Sequence, residues 1–242
     1  MHQRNYPKNL MNMFKVSLLE FIQKLKKIFN KPLINVLTRS SNRPHGFARV
    51  RNSIKKQSYK KINHIVSYDN KKTKEYLSAY HNINTIKIDR EFLIINDKSI
   101  NPNTGIYSPH NLYFNRMLRK VSDGWIMFLD DDDFFTDERS VEKIVNKIKN
   151  DDTLIIWQMN FPKRGPVPDN EHIENYPKLG HIGSPCFLFH SKYKDIALWD
   201  AWKCADYRYV SKLYETIPNK VYIKETLVEI GQIGFGNQTD IN

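Results

Sequence analysis

The sequence predicts an α/β fold: a doubly wound, mostly parallel sheet in a single domain, preceded by an amphipathic helix. Three observations carry this. Short apolar runs alternate with helix-length segments from Leu33 to Asn160, the pattern of strands joined by helical crossovers. One of those runs, Trp125 to Leu129, empties directly into four aspartates, Asp130 to Asp133. Residues 10–29 show helical rather than strand periodicity.

Taken in order, the stretch LMNMFKVSLLEFIQKLKKIF (10–29) spaces Leu10, Phe14, Leu18, Phe21, Ile22, Leu25 and Phe29 at three- and four-residue steps, with the lysines mainly elsewhere. Lysines interrupt its apolar part and no small-residue cleavage site follows, so a helix is expected and not a secretory leader. A basic amphipathic helix of this kind can lie on an anionic membrane surface, giving peripheral membrane contact through 10–29, or pack on protein. Lys31-Pro32 ends it, placing a boundary between residues 1–31 and a domain of residues 32–242. LINVLT (33–38) reads as a buried strand and 44–57 as a helix. INHIVSY (62–68) reads as the second strand, KTKEYLSAYHN (72–82) as a helix, and INTIKID (83–89) as the third strand. A polar loop (90–108) leads to a helix at 109–122, the strand WIMFL (125–129), a helix at 137–149 and the strand TLIIWQM (153–159). A Pro-rich loop (161–177), the apolar CFLF (186–189), a helix near 205–215 and an apolar stretch at 221–230 complete the pattern.

Composition narrows the function classes. The 242 residues are 40% apolar and 12% aromatic, enough for a packed core. Cys186 and Cys204 form no disulfide framework and fit a reducing, cytoplasmic setting. No Cys/His spacing resembles a zinc site, and no apolar run reaches the roughly 20 residues of a membrane span. The net charge of +12 raises the question of nucleic acid, but half of the excess lies in residues 1–31, where seven basic residues face Glu20 alone. No nucleic-acid-binding signature accompanies it, so no nucleic-acid partner is expected. A basic surface also suits substrates that carry phosphates.

Four adjacent carboxylates repel one another, and in an open parallel sheet ligands bind beyond the carboxyl ends of strands. A divalent cation would relieve that repulsion. Hard cations such as magnesium or manganese take carboxylate oxygens and share their remaining positions with substrate phosphates. Asp137 and Glu138 are read differently, as acidic residues at a helix start. A P-loop ATPase is excluded because no GxxxxGKS/T is present. A haloacid-dehalogenase-like phosphatase would place its DxD after the first strand, and a sugar nucleotidyltransferase would carry a Gly-rich loop where this chain has TRSSNRPHGF.

The strand 33–38 followed by TRSSNRP, the second strand ending in SYDN, and GWIMFLDDDD after a helix resemble family 2 glycosyltransferases of the GT-A fold, with FLDDDD as the DXD motif. The resemblance runs from about 33 to 215. More narrowly, PCFLFHSKY and ADYRY in the C-terminal half resemble small glycosyltransferases encoded by large DNA viruses, which would place the protein in host cytoplasm. The resemblance implies an inverting transfer of sugar from a nucleotide-sugar donor, a UDP-sugar, to a glycan or glycoprotein acceptor. It implies a nucleotide-sugar-binding half (32–133) and an acceptor-side half (134–242). Thr38 and Arg39 would line the nucleotide pocket by backbone and side chain, Asp69 would accept from the base N–H, Asp130 would approach the ribose or sugar, Asp131 would belong to the same donor-binding set, and Asp132 would coordinate the metal. The family's base lies in an ED motif opening a downstream helix. Asp206 is its counterpart, with Ala205 in place of the Glu and with Glu215 and Asp200 as alternatives. Trp199 and Trp202 flank this region, and His181 stands in the loop GHIGSP (180–185), whose small residues let a ligand approach the backbone. The other class open to the sequence is a non-catalytic basic module whose aspartates hold a structural cation.

Overall fold

The computed structural model describes residues 31–103 and 105–231, so the helix expected at 10–29 lies outside the described residues. In chain order the elements are β1 (Ile34–Arg39), α1 (Pro44–Lys56), β2 (Ile62–Tyr68), α2 (Lys71–Leu77), β3 (Asn84–Lys87), α3 (Arg90–Ile95), α4 (Leu112–Leu118), β4 (Trp125–Phe128) and β5 (Phe134–Phe135). There follow α5 (Ser140–Val145), β6 (Thr153–Phe161), β7 (Gly165–Val167), β8 (Phe187–His190), α6 (Ala205–Thr216) and β9 (Asn219–Glu229).

The strands form one sheet in the order β3-β2-β1-β4-β8-β6-β9-β5, with β7 paired to β6. β3, β2, β1 and β4 are mutually parallel, as are β6 and β9. β8 runs antiparallel to both β4 and β6, so it joins two parallel groups. The sheet is therefore α/β and mostly parallel, as the alternating pattern predicts. What periodicity does not convey is strand direction: β8 is short, and the chain returns to it from the end of β6 without a crossover helix.

The central strands are buried on both faces. All four residues of β4 and five of six in β1 are buried, which explains their continuous apolar runs. Phe128 is the hub of an aromatic cluster, with ring centroids 4.5 Å from Phe114, 4.9 Å from Trp199 and 5.8 Å from Tyr209. Helix ends are set locally. Pro44 opens α1 and Lys55 and Lys56 close it, and the Asn70 side chain accepts from the Thr73 amide at 2.9 Å to start α2.

Gly124 stands just before β4, where no other residue fits. Its φ is +87°, and a Cβ there would stand 2.6 Å from the Leu33 carbonyl oxygen, which accepts from the Trp125 amide at 2.8 Å. Gly124→Ala is expected to cost about 2–4 kcal/mol, left-handed strain and backbone overlap together, read as a lower denaturation midpoint.

Candidate active site

The register between β1 and β4 decides what meets at their carboxyl ends. Ile34 lies opposite Trp125 and Leu37 opposite Phe128; continuing that offset past the strands sets Arg39 opposite Asp130 and Ser40 opposite Asp131. Both pairs form. Arg39 grips Asp130 with two parallel hydrogen bonds, Nε to Oδ1 at 2.8 Å and Nη2 to Oδ2 at 2.5 Å. Its guanidinium lies 4.1 Å from the Phe114 ring centroid, and Nη1 donates to Asn111 Oδ1 at 2.8 Å. Asp131 accepts from Ser40 Oγ at 3.0 Å, the Ser41 amide at 3.1 Å and Arg43 Nη1 at 2.7 Å.

The four aspartates thus diverge. Asp130 faces Arg39, Asp131 fastens the loop after β1, and Asp133 is buried, accepting from the Gly231 amide at 3.2 Å. Asp132 lines the cavity, with one oxygen 3.7 Å from Arg43 Nη1. Among the described residues no three of these carboxylates converge on one point. Much of the repulsion is relieved by arginine and by protons. Burial works to raise Asp130, but the charge and hydrogen bonds of Arg39 prevail and hold it below the usual carboxylate range. Burial pushes Asp131 up to about 7 against the pull of Arg43, with Asp132 and Asp130 adding to the rise. Burial and the charge of Asp132 push Asp133 well above its ordinary value.

A cavity of about 250 Å³ opens here, lined by Arg39–Arg43, Asp69, Arg90, His110, Tyr113 and Asp130–Asp132. Asp69, at the end of β2, accepts from Tyr113 Oη at 2.8 Å, Asn70 Nδ2 at 2.7 Å and Ser41 Oγ at 3.1 Å. Its carboxylate is fixed before any ligand arrives. Burial, reinforced by Arg39, pushes His110 down to about 3, so it stays neutral beside Asp130.

Thr38 does not line the cavity. Successive side chains of a strand point to opposite faces, so with Arg39 directed at Asp130 the Thr38 hydroxyl turns the other way and meets His64 Nε2 at 2.9 Å in full burial. Arg39, Asp69, Asp130, Asp131 and Asp132 are brought together as lining. Sequence reasoning missed Arg43, Arg90, His110 and Tyr113. Arg43 had a usable signal, standing in the loop that directly follows Arg39; the other three come from segments with no local mark.

Asp206 sits in the first turn of α6, just after Cys204, which is held at φ +64°. Positive φ at a non-glycine residue is uncommon and often marks a functional segment. Asn111 joins this region to β1, accepting from Arg39 and donating to the Trp202 carbonyl at 3.0 Å. Burial pushes the Asp206 carboxyl up to about 6, against the Tyr207 amide and the charge of Arg39, which favour its ionised form. It is not part of the cavity lining. The two alternatives are committed elsewhere: Asp200 binds Arg208 through both oxygens at 2.6 Å, and exposed Glu215 is held by Lys212 at 2.8 Å and Tyr176 at 2.7 Å. Trp199 is core, 2% exposed, and Trp202 packs its ring edgewise on Tyr107 at 5.3 Å.

The Arg39–Asp130 pair is nearly enclosed, with side chains 14% and 19% exposed. Arg39→Met strands that carboxylate and is expected to cost about 3–5 kcal/mol in a denaturation experiment. Adding Asp130→Asn should recover part of the loss, because the uncompensated charge is then gone.

As a divalent-cation site the region fits in one respect: Asp132 offers a hard carboxylate oxygen at the cavity wall. One carboxylate is what magnesium or manganese takes when phosphates complete the shell.

A family model described as "Glycosyl transferase family 2" matches residues 36–219. No curated relative matches the sequence. Solved structures with similar folds include TarS residues 1–349 from S. aureus, with a TM-score of 0.60 at 16% identity, covering 82% of this chain and 60% of that one. The same protein in complex with UDP-GlcNAc gives a TM-score of 0.57 at 14% identity, covering 87% and 61%. The mannosyltransferase PcManGT from Pyrobaculum calidifontis, in complex with GDP-Man and Mn2+, gives 0.55 at 10% identity, covering 85% and 59%. The chain thus spans about 60% of the TarS 1–349 length. No described helix is long and apolar enough to cross a membrane.

Proposed function

The chain belongs to glycosyl transferase family 2, and from that premise we propose that it is a metal-dependent inverting glycosyltransferase, moving a sugar from a UDP-sugar to a hydroxyl of a glycan or glycoprotein. One observation carries this reading: a cavity at the carboxyl ends of β1, β2 and β4 that combines Asp69, Asp132, Arg43 and Arg90. Neighbouring folds solved with UDP-GlcNAc, or with GDP-Man and Mn2+, support a nucleotide-sugar donor.

In this reading Asp69, fixed by Tyr113 and Asn70, accepts from the base N–H and favours uracil. Arg43 and Arg90 face the diphosphate, with Asp131 setting the angle of Arg43. Asp132 would hold manganese or magnesium, which supplies neutralisation of the charge growing on the departing diphosphate. Arg39 and Asp130 form the wall between donor and acceptor. Asp206 takes the proton of the acceptor hydroxyl as that oxygen bonds to the anomeric carbon and the sugar–phosphate bond breaks. A carboxyl shifted up to about 6 is a better proton acceptor than an ordinary aspartate and is still ionised at neutral pH. The free thiols of Cys186 and Cys204 are in keeping with a cytoplasmic setting.

Thermal shift with UDP, with and without manganese, tests the donor site. Ligand binding to the folded state raises the melting temperature by mass action, and a binding module unrelated to nucleotides shows no rise. Hydrolysis of a nucleotide-sugar panel then names the donor. Absence of any UDP-dependent shift in manganese would overturn the assignment.

A further inference from the structure

Between β7 and the turn at Ser184–Cys186 the chain runs through residues 168–183 without regular secondary structure. Asp169 and His172 lie at its start and His181 at its end. Their ligand atoms, one from each residue, all lie within 4.8 Å of one another, and all three side chains are partly buried. Asp169 Oδ1 is 2.7 Å from His172 Nδ1, Asp169 Oδ2 is 3.5 Å from His181 Nδ1, and the two imidazole rings lie tilted at 32° with centroids 4.2 Å apart. Two histidines and one carboxylate converging from opposite ends of a loop are a ligand set, and nothing in the transfer reaction described above uses them.

We propose that Asp169, His172 and His181 bind one zinc-like transition-metal dication, separate from the cation of the donor site. Donor chemistry separates the two. Asp132 offers only carboxylate oxygen, the choice of magnesium and manganese, whereas two imidazoles and a carboxylate suit zinc. Three protein ligands leave a fourth tetrahedral position for water. Ligand atoms around zinc at 2.0–2.1 Å stand about 3.3 Å apart, so the cluster needs a modest adjustment in which the 2.7 Å pair opens and the wider pairs close.

The surrounding structure holds the ligands in place. Asp169 Oδ1 accepts from the Glu171 and His172 amides at 3.0 and 2.9 Å, and the His181 amide donates to the Lys178 carbonyl at 2.9 Å. Gln158 Nε2, on β6, donates to the Pro168 carbonyl at 3.0 Å and ties the loop's first turn to the sheet. Opposing the cation are Lys178, whose Nζ lies 3.1 Å from His172 Nε2, and Arg164, which donates to the Gly180 carbonyl at 2.8 Å. Lys178 is exposed and stands at Nε2 of His172, so the metal would take the opposite nitrogen, Nδ1, which faces Asp169. The metal would fasten residues 169–172 to 181, three positions before Ser184, whose Oγ lies 3.5 Å from Asp130 Oδ2. Occupancy therefore braces the acceptor-side wall of the active site.

The test uses the full chain, stripped with chelator and dialysed against zinc in excess magnesium. The expected result is one tightly held equivalent of zinc per chain by elemental analysis, and a tetrahedral visible spectrum when cobalt replaces it. His172→Gln and His181→Gln should each lose that equivalent while keeping a wild-type far-UV spectrum. Asp132→Asn should retain it, which separates this site from the donor site. If either histidine variant misfolds, Asp169→Asn serves in its place. No zinc in the wild type, or a full equivalent in the histidine variants, overturns the proposal. So does stabilisation of the stripped wild type by phosphate and not by zinc, since the cluster would then be an anion site built on Lys178 and Arg164.

Discussion

Asp206→Asn is expected to lower transfer to the acceptor by about 10²–10⁴-fold, the usual contribution of a general base, while UDP binding in manganese stays at the wild-type level. The amide keeps the shape of the carboxyl and its contact with the Tyr207 amide, 2.8 Å from Oδ1, so α6 should still start in the same place. The loss belongs in turnover, because the proton moves only in the transition state. The pH profile supplies a second readout. Burial raises this carboxyl to about 6, so below that pH it carries a proton and cannot accept another. Wild-type activity should therefore rise as pH increases through about 6 and level off above it, and the variant should lack that limb. Glu215→Gln and Asp200→Asn should retain activity, since Lys212, Tyr176 and Arg208 already engage those carboxylates. Normal transfer by Asp206→Asn with a large loss in one of the other two would move the base.

The second large effect is expected at Asp132. Changing groups that merely orient a metal ligand costs 10–100-fold in affinity, so losing the ligand itself in Asp132→Asn should weaken UDP binding in manganese by at least about 100-fold. Asp133→Asn is the informative contrast. That carboxyl is buried against the Gly231 amide and pushed well above its ordinary value, so an amide replaces it with little change. Its donor affinity should stay within a few-fold of wild type, as measured by calorimetry with and without manganese. Equal losses in both variants would mean that the acidic run acts as one charge cloud and not through one residue.

Much of this arrangement was legible in the sequence, for physical reasons. β2 is found at Ile62–Tyr68, as its apolar alternation and flanking polar residues indicate, and β1, β4 and β6 begin within a residue of their predicted starts. Buried strands advertise themselves because both faces must be apolar. α3 buries none of its side chains and so has no apolar face directed at a core, which is why its segment carries no helical pattern. β5 is two residues long, shorter than any periodicity, and exists because β9 passes alongside it. In the site, the resemblance named Asp69 and Asp132, and both line the cavity. The Arg39–Asp130 pair required the strand register, a property of two segments 91 residues apart. The misplacement of Thr38 is a one-residue matter: on a strand, the neighbour of a cavity residue faces away from the cavity.

The antiparallel strand at the centre of the sheet bears on how the molecule is made. β4 is complete by residue 128, but its neighbour β8 begins at residue 187. At ordinary rates of synthesis, about 5–20 residues per second, that gap lasts several seconds. Throughout it β3, β2, β1 and β4 can already assemble as a parallel unit whose open margin is the wholly apolar strand Trp125–Phe128. Unpaired backbone on an apolar strand invites pairing with another copy. The nascent chain is therefore most vulnerable to aggregation between the emergence of the aspartates and the arrival of Phe187–His190, and the sequence that closes the sheet also ends that exposure.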